Sequence, residues 1–318
     1  MGSRLSSLKE IDWTISKQIS NIHDHFIVRN VTGAFRIMMR ERSVRFWFSI
    51  ILGILILGII GPTIAPYQYN ETQYSENGEI KFNEPPSLDH PLGTTDTGYD
   101  VLSRILYGAR PTVITGLLGG GMIVLIGGVI GITAGYVGGR VENILMRFTD
   151  MAYGIPLLPF ALVLVTFFGV GFISSIMVIG LIIWRGMARV LRSQVLQIKE
   201  RPFILAAKAT GASAPRIIGT HILPNVGTMA ILFFALGVGY TILIQAGLAY
   251  LGVSDPSVPS WGIMVRNAQR AGRMSTSLWW SIPPGLLISL TVMSSFMFGR
   301  GYENVAGQAG DEALAEAG

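Results

Sequence analysis

The chain has 318 residues, a formal net charge of +5 and no cysteine. Half of its residues are apolar and only 14% are charged, whereas a soluble domain usually has about a quarter of its residues charged. This composition is typical of an integral membrane protein, and the lack of cysteine excludes disulfides and thiolate metal sites.

The N-terminal segment, residues 1–45, is polar and rich in lysine and arginine. Apolar residues interspersed with its arginines predict an interfacial helix that leads into the bilayer, with a partly disordered basic tail as the alternative. We expect no cleavable signal peptide, because the first apolar run is long enough to remain a membrane span.

Five stretches without a charged residue or histidine are long enough to cross a bilayer, since each exceeds the roughly 20 residues that a span needs. They are residues 46–70, 111–139, 151–184, 226–254 and 274–299. The third is too long for one span, so we divide it near residues 169–175 and start its first half near residue 143. The sequence therefore predicts an all-α polytopic membrane protein with six transmembrane helices over residues 46–299. If the third stretch were instead a single tilted helix, the protein would have five transmembrane helices.

Lysine and arginine predict the orientation of these spans. Residues 1–45 and the loop 185–225 are strongly basic and should be cytoplasmic, as should the tail 300–318. The loop 67–110 has more acidic than basic residues and is predicted to lie outside. Arg266, Arg270 and Arg273 fit this arrangement less well, because it also places them outside.

Residues 200–225, ERPFILAAKATGASAPRIIGTHILPN, form a polar and basic segment between two apolar runs. The segment resembles the coupling loop of ABC-transporter permeases, whose pattern is EAA, three residues, Gly, nine residues, then I-x-L-P. The residues at matching positions are Ala206, Ala207, Gly211, Leu223 and Pro224. Leu205 stands where the family usually has Glu, and His221 stands where it often has Ile. The resemblance implies that this loop contacts an ATPase subunit.

The residues of this loop also indicate a short helix without reference to any family. Pro202 suits the first turn of a helix, Gly211 suits its C-terminal end, and alanines between them add little bulk. Phe203, Ala207 and Thr210 share one helical face, so Phe203 could enter a groove of a partner. From the residues alone, a loop helix lying on its own bundle is the alternative.

Residues 90–116, HPLGTTDTGYDVLSRILYGARPTVITG, carry a second motif. They resemble the segment before the second span in the C-type subunit of dipeptide and oligopeptide permeases, with Gly93, Asp96, Gly98 and Asp100 at motif positions and Tyr99 where Arg is usual. An apolar stripe that begins at Val101 predicts a short external helix. That helix would plug the outer side of the pore, rest against an external partner, or only seal the bundle.

Glycines, prolines and arginines in or next to the spans add three further expectations. Gly127, Gly131, Gly135 and Gly139 recur every four residues and predict a flat face for close helix packing. Prolines in the third and sixth spans predict bends or static kinks; they are Pro156, Pro159, Pro283 and Pro284. A basic stripe at the inner end of the fourth span is expected to anchor in lipid headgroups, or else to contact a partner; it comprises Arg185, Arg189 and Arg192.

Missing residues exclude several function classes. The apolar runs contain no acidic, basic or histidine residue, which argues against proton or sodium coupling. The chain has no GxxxxGK[ST] phosphate loop for ATP and no metal-ligand pattern among its four histidines. We expect no catalytic residue, cofactor or nucleic-acid partner. Gln245 is among the most polar residues within the apolar runs and is a possible pore-lining residue.

The two resemblances imply a type I ABC importer permease fold in a prokaryotic plasma membrane, with both termini in the cytoplasm. The implied activity is ATP-driven import of di- or oligopeptides, although nickel, glutathione and sugar systems use similar permeases. Implied partners are a B-type permease subunit, two ATP-binding cassette subunits and an extracytoplasmic solute-binding protein. A channel or ion-coupled carrier without ATPase subunits is the alternative.

Overall fold

The computed structural model of the protein describes Met39 and residues 41–315, with side chains as far as Asn304. Its helices are, in chain order, α1 (Arg42–Ile64), α2 (Val101–Val137), α3 (Gly139–Tyr153), α4 (Leu157–Phe168), α5 (Phe172–Ile183), α6 (Arg185–Ile198), α7 (Pro202–Ala209), α8 (Ala214–Ile217), α9 (Leu223–Leu251), α10 (Trp261–Arg270) and α11 (Leu278–Ala315). A π-helical turn, Ile218–Ile222, joins α8 to α9. The interfacial helix expected before residue 39 lies outside the described residues.

Within the part of the chain that the structure describes, five helical segments are long and apolar enough to cross a membrane. They are α1, α2, the combined α5 and α6, the segment Ala214–Leu251, and α11 as far as Asn304. The chain bends by 96° between α3 and α4, and these two helices form a sixth span if they are counted together. The all-α, multi-pass architecture is thus confirmed for the described part of the chain.

The third predicted span is partly right. The division near residues 169–175 is confirmed, because α4 ends at Phe168, α5 begins at Phe172, and Gly169 between them has a φ of 91°. The first half, predicted from near residue 143, is not one continuous helix, since the chain bends between α3 and α4. Pro156 sits at this bend with an extended backbone and no amide hydrogen to continue the helix of α3.

The other prolines leave their helices intact. Pro159 lies in the first turn of α4, where a missing amide hydrogen removes no helical bond. Pro283 and Pro284 lie inside α11, which continues past both of them. Of the predicted bends, only the one at Pro156 therefore coincides with a break between helices.

The predicted glycine face is confirmed at three of its four positions. A Cβ atom added at Gly127, Gly131 or Gly135 would lie between 2.6 and 2.7 Å from the nearest atom of residues 184–195, so α2 and α6 approach closely. Gly139 instead begins α3 with a φ of 58°, and a Cβ atom there would meet open space.

Arginines of α6 hold α3 against the bundle. Two ion pairs join the helices: Arg189 Nη2 lies 2.7 Å from Asp150 Oδ1, and Arg192 pairs with Glu142. The guanidinium groups of Arg185 and Arg189 also lie over the ring of Tyr153, at 4.8 and 4.2 Å from its centroid. The stripe that we expected to anchor in headgroups thus has partners within the chain.

Candidate functional site

Two parts of the structure contain the motif residues, and they lie at opposite ends of α2. We call residues 65–100 the outer cap and residues 199–222 the inner loop, following the orientation predicted from the charges. The outer cap leads directly into the start of α2, whereas Lys199 of the inner loop donates a hydrogen bond to the Gly135 carbonyl near the end of α2, at 3.0 Å.

The short helix predicted in the inner loop is α7. Pro202 occupies its first turn, and Gly211 follows it with a φ of 80°. The amide of Gly211 donates to the Lys208 carbonyl at 3.0 Å, and the amide of Ala212 donates to the Ala207 carbonyl at the same distance. The predicted helix start and glycine-terminated end are therefore both present.

Three isoleucines anchor the inner loop to the bundle. Ile204 of α7, Ile217 of α8 and Ile222 of the π-helical turn are each at most 1% exposed. They pack in one cluster with residues of α6 that include Leu191 and Val195. Full burial of a large aliphatic side chain contributes about 1.5–3 kcal/mol, so these contacts hold the loop firmly to α6 and α9.

Residues next to these anchors in the sequence leave an apolar surface exposed. Phe203, Leu205 and Leu223 are 44 to 48% exposed, and Ala206 is exposed beside them. Ala207 differs from the predicted face, because it is half-buried against the isoleucine cluster. The accessible face of α7 therefore runs through Phe203 and Ala206.

The C-terminal part of the motif lies next to α7. The ring centroid of His221 is 6.0 Å from that of Phe203, and the His221 carbonyl accepts a hydrogen bond from Asn225 Nδ2 at 2.7 Å. Pro224 is half-buried in the first turn of α9. The structure thus brings Phe203 and His221 together, although eighteen positions separate them along the chain.

Gly211 is restricted by its backbone and not by its surroundings. A Cβ atom there would meet nothing within 4 Å, but the φ of 80° is unfavourable for most L-residues. Close approach of a partner at this glycine stays a prediction.

At the outer end, motif residues form the turns that lead into α2. Gly93 and Gly98 have φ values of 66° and 74°, and Asp100 is the N-cap of α2. Asp100 Oδ2 accepts hydrogen bonds from the backbone N and the Oγ of Ser103, both at 2.7 Å. The short external helix predicted from Val101 onward is wrong, because these residues are the first turns of the continuous helix α2. Pro111 does not end this helix, since its fixed φ is helical and packing against neighbouring helices compensates for one lost hydrogen bond.

A buried polar chain connects the outer cap to this N-cap. His90 Nδ1 donates to Asp100 Oδ1 at 3.0 Å, and both side chains are at most 1% exposed. On the other side of the ring, His90 Nε2 lies 3.3 Å from Lys81 Nζ, which can donate to it. We did not predict this role for His90, although the histidine of the HPLG sequence lies ten positions before Asp100 and was a visible signal.

Asp96 and Gln245 lie in different cavities. Asp96 is half-buried in a cleft of about 560 Å³ at the outer end. Burial raises the pKa of its carboxyl above the ordinary value, and its backbone hydrogen bonds and the charges of Arg273 and Arg104 lower it by less.

Gln245 is 5% exposed, and its Nε2 donates to Ser254 Oγ at 3.0 Å. It faces a cavity of about 20 Å³ inside the bundle, which Thr115 also lines. The pore-lining role of Gln245 stays a prediction.

Comparison with known proteins identifies relatives over most of the chain. Residues 127–302 match the family described as "Binding-protein-dependent transport system inner membrane component". The dipeptide transport system permease protein DppC of Bacillus subtilis is 33% identical over 85% of this chain and 83% of its own length. The oligopeptide transport system permease protein OppC of Haemophilus influenzae is 32% identical over 84% of this chain and 85% of its own length. The glutathione transport system permease protein GsiD of Pectobacterium atrosepticum is 30% identical over 83% of this chain and 92% of its own length.

Proposed function

Because this chain belongs to the family of binding-protein-dependent inner-membrane transport components, as a C-type subunit of the peptide ABC permeases, we propose that it forms part of the pathway of an ATP-driven peptide importer. Its fold is the type I importer permease fold. We infer that it works with a B-type permease subunit, two ATP-binding cassette subunits and an extracytoplasmic solute-binding protein. The chain itself is a transport subunit, and partner subunits would hydrolyse ATP.

The exposed apolar face of α7 is the observation that best supports coupling to an ATPase. Phe203 and Leu205 lie on a loop helix whose basic flanks favour the cytoplasm, where exposed apolar patches usually mark a contact surface. Leu205 replaces the glutamate of the family pattern. The proposed contact at this position is therefore an apolar one, and an ion pair is not expected.

The anchoring of the inner loop suggests how movement would reach the membrane. Ile204, Ile217 and Ile222 join the loop to α6 and α9, and Lys199 joins it to α2. Since these contacts are buried or hydrogen-bonded, a partner that displaces α7 would move the inner ends of three long helical segments together. Such rigid-body movement is one established way in which bundles alternate between two states.

The substrate assignment to di- or oligopeptides rests on the relatives. Proteins whose names state dipeptide and oligopeptide transport match this chain at 33 and 32% identity, but a glutathione permease matches at 30%. These three substrates share a peptide-like backbone. The charge-free apolar runs favour a permissive pathway, with selection left to the solute-binding protein and with Gln245 affecting turnover more than preference.

Reconstitution tests this function directly. We expect the chain to co-purify in mild detergent with ATP-binding cassette subunits and, in proteoliposomes with all partners, to import a dipeptide only when ATP and the solute-binding protein are present. Uptake that continues without ATP would contradict the proposal and support a channel or carrier. A matched preparation without the solute-binding protein separates delivery from leakage.

A further inference from the structure

The outer end of the bundle contains a cleft of about 560 Å³, which we call the arginine cleft. The outer cap, the start of α2, the segment before α10, and α10 itself all contribute to its walls. Its lining includes Tyr69, Asp96, Tyr99, Arg104, Asn267 and Arg270. The volume lies within the range of about 300–1,000 Å³ that is usual for ligand pockets.

Arg104 lines this cleft and is only 7% exposed. Its Nη1 donates to the Tyr69 carbonyl at 3.3 Å, and its guanidinium lies 4.9 Å from the centroid of the Tyr99 ring. Within residues 41–304, no carboxylate lies close enough to form an ion pair with it. A buried guanidinium has lost much of its hydration, so it has more to gain from a carboxylate than an exposed one.

Three further arginines lie in or near this region: Arg270 lines the cleft, the charge of Arg273 acts on Asp96, and the charge of Arg270 acts on Arg266. These three arginines are the residues that did not fit the charge rule for an outer segment. Arg270 is exposed at the cleft, and burial together with the charge of Arg270 lowers the pKa of Arg266. In the described part of the chain, none of the three forms an ion pair. The single acid in the lining of the cleft, Asp96, leaves the region positively charged overall.

We propose that the arginine cleft receives an acidic side chain of the external solute-binding protein, with Arg104 as the buried partner and Arg270 as the exposed one. This inference rests on the proposed function, because it names the surface at which delivery would occur. A carboxylate held by arginine can form two parallel, charge-assisted hydrogen bonds. The aromatic rings of Tyr69 and Tyr99 would pack against its aliphatic carbons.

A protein carboxylate suits the cleft better than the carboxylate of a transported peptide. A desolvated guanidinium would retain a peptide that must move onward, whereas retention is what a docking partner requires. Positive charge at the outer end also speeds encounter with a partner of opposite charge, and it makes the association sensitive to salt.

The test measures how tightly the solute-binding protein binds the complete importer in nanodiscs, by biolayer interferometry at several salt concentrations. We expect Arg270→Gln to weaken binding on the order of tenfold, since one charge-assisted contact is lost, and to reduce the salt dependence. Arg104→Lys should weaken binding at least as much, because lysine cannot reproduce the bidentate geometry. Arg270 is exposed, so its variant stays informative if the Arg104 variant fails to fold.

Asn77→Asp is the matched control, because it changes the charge by the same amount on an exposed turn of the outer cap. It should leave the affinity within about twofold, as expected for an isolated surface charge. Wild-type affinity in both arginine variants would overturn the docking inference while leaving the proposed function intact. A wild-type importer that binds no solute-binding protein would instead overturn the proposed function, and the docking inference with it.

A second measurement distinguishes a protein carboxylate from a peptide carboxylate. Uptake of one dipeptide with a free C-terminus is compared with uptake of its C-terminal amide. We expect Arg270→Gln to lower both uptake rates in the same ratio. If the variant reduces only the uptake of the free acid and keeps wild-type affinity for the solute-binding protein, the cleft binds the substrate and the docking inference is wrong.

Discussion

At the inner end of the bundle, three buried isoleucines hold the loop, whereas at the outer end a chain of hydrogen bonds through His90 and Asp100 holds the cap. Apolar anchors tolerate small shifts, because dispersion contacts have little directional preference. Buried hydrogen-bonded pairs do not tolerate them, because a misplaced partner leaves an unsatisfied charge. The comparison suggests an inner end suited to movement and an outer end suited to a fixed shape.

The predicted orientation underlies this comparison, and site-specific labelling tests it with an all-or-none result. Cysteines introduced at Ser7 and Ser213 should react with an impermeant maleimide only after the membrane is permeabilised, because both lie in basic segments. A cysteine at Ser75 in the outer cap should react in intact cells. If the cysteines at positions 75 and 213 are labelled from the same side, the outer cap and the inner loop do not lie on opposite faces of the membrane.

Gly211→Asp tests the inner end, and we expect it to reduce ATP-dependent uptake to background and to abolish association with the ATPase. The new carboxylate would project into the open space where the partner is proposed to approach.

Gly78→Asp is a close control for this variant. Gly78 has a φ of 79° and equally open surroundings, but it lies in the outer cap. Any backbone strain should therefore be similar in the two variants, and Gly78→Asp should retain ATPase association. Equal loss in both variants would indicate strain and not a lost coupling contact.

Asp100→Ala tests the outer end. The variant removes the N-cap of α2 and leaves His90 buried without its carboxylate, so we expect destabilisation of about 3 kcal/mol. The midpoint of thermal unfolding in detergent should fall clearly.

Asp89→Asn provides the comparison for this loss, because the Asp89 side chain is 76% exposed and lies 4.0 Å from Lys81. Removing such a surface pair should change stability by less than about 1 kcal/mol. Similar midpoints for the two variants would contradict the importance that we assign to the buried pair.

The smallest expected effect concerns the pH dependence of the outer cap. Burial raises the pKa of Asp96 above its ordinary value of 3.8, so the protonated carboxyl is favoured more in the folded state than in the unfolded state. Its stabilising contribution is complete below the ordinary pKa and is lost as the pH rises through the folded pKa. Relative to the wild type, Asp96→Asn should therefore be more stable at pH 7 than at pH 4, as measured by thermal unfolding at both values. A constant difference between the two proteins would contradict this expectation.

The membrane architecture was largely predictable, because its signals are local in the sequence. Uninterrupted apolar runs predict spans, and glycines at every fourth position predict a helix face wherever that helix lies. Pro202 and Gly211 likewise predicted the ends of α7, since each acts through its own backbone. The bend at Pro156 was predicted as a kink, but the sequence did not specify its angle of 96°.

Only the tertiary structure decided which charged and polar groups meet. Arg192 and Glu142 are fifty positions apart, and Arg104 reaches the region of Arg270 only because α10 packs at the outer end of the bundle. Residue type and spacing along one helix do not specify such pairings, since they depend on how separate helices are placed. The sequence by itself therefore determined the membrane spans and the coupling motif through local chemistry. Packing between distant segments decided the buried His90–Asp100 pair and the arginine cleft.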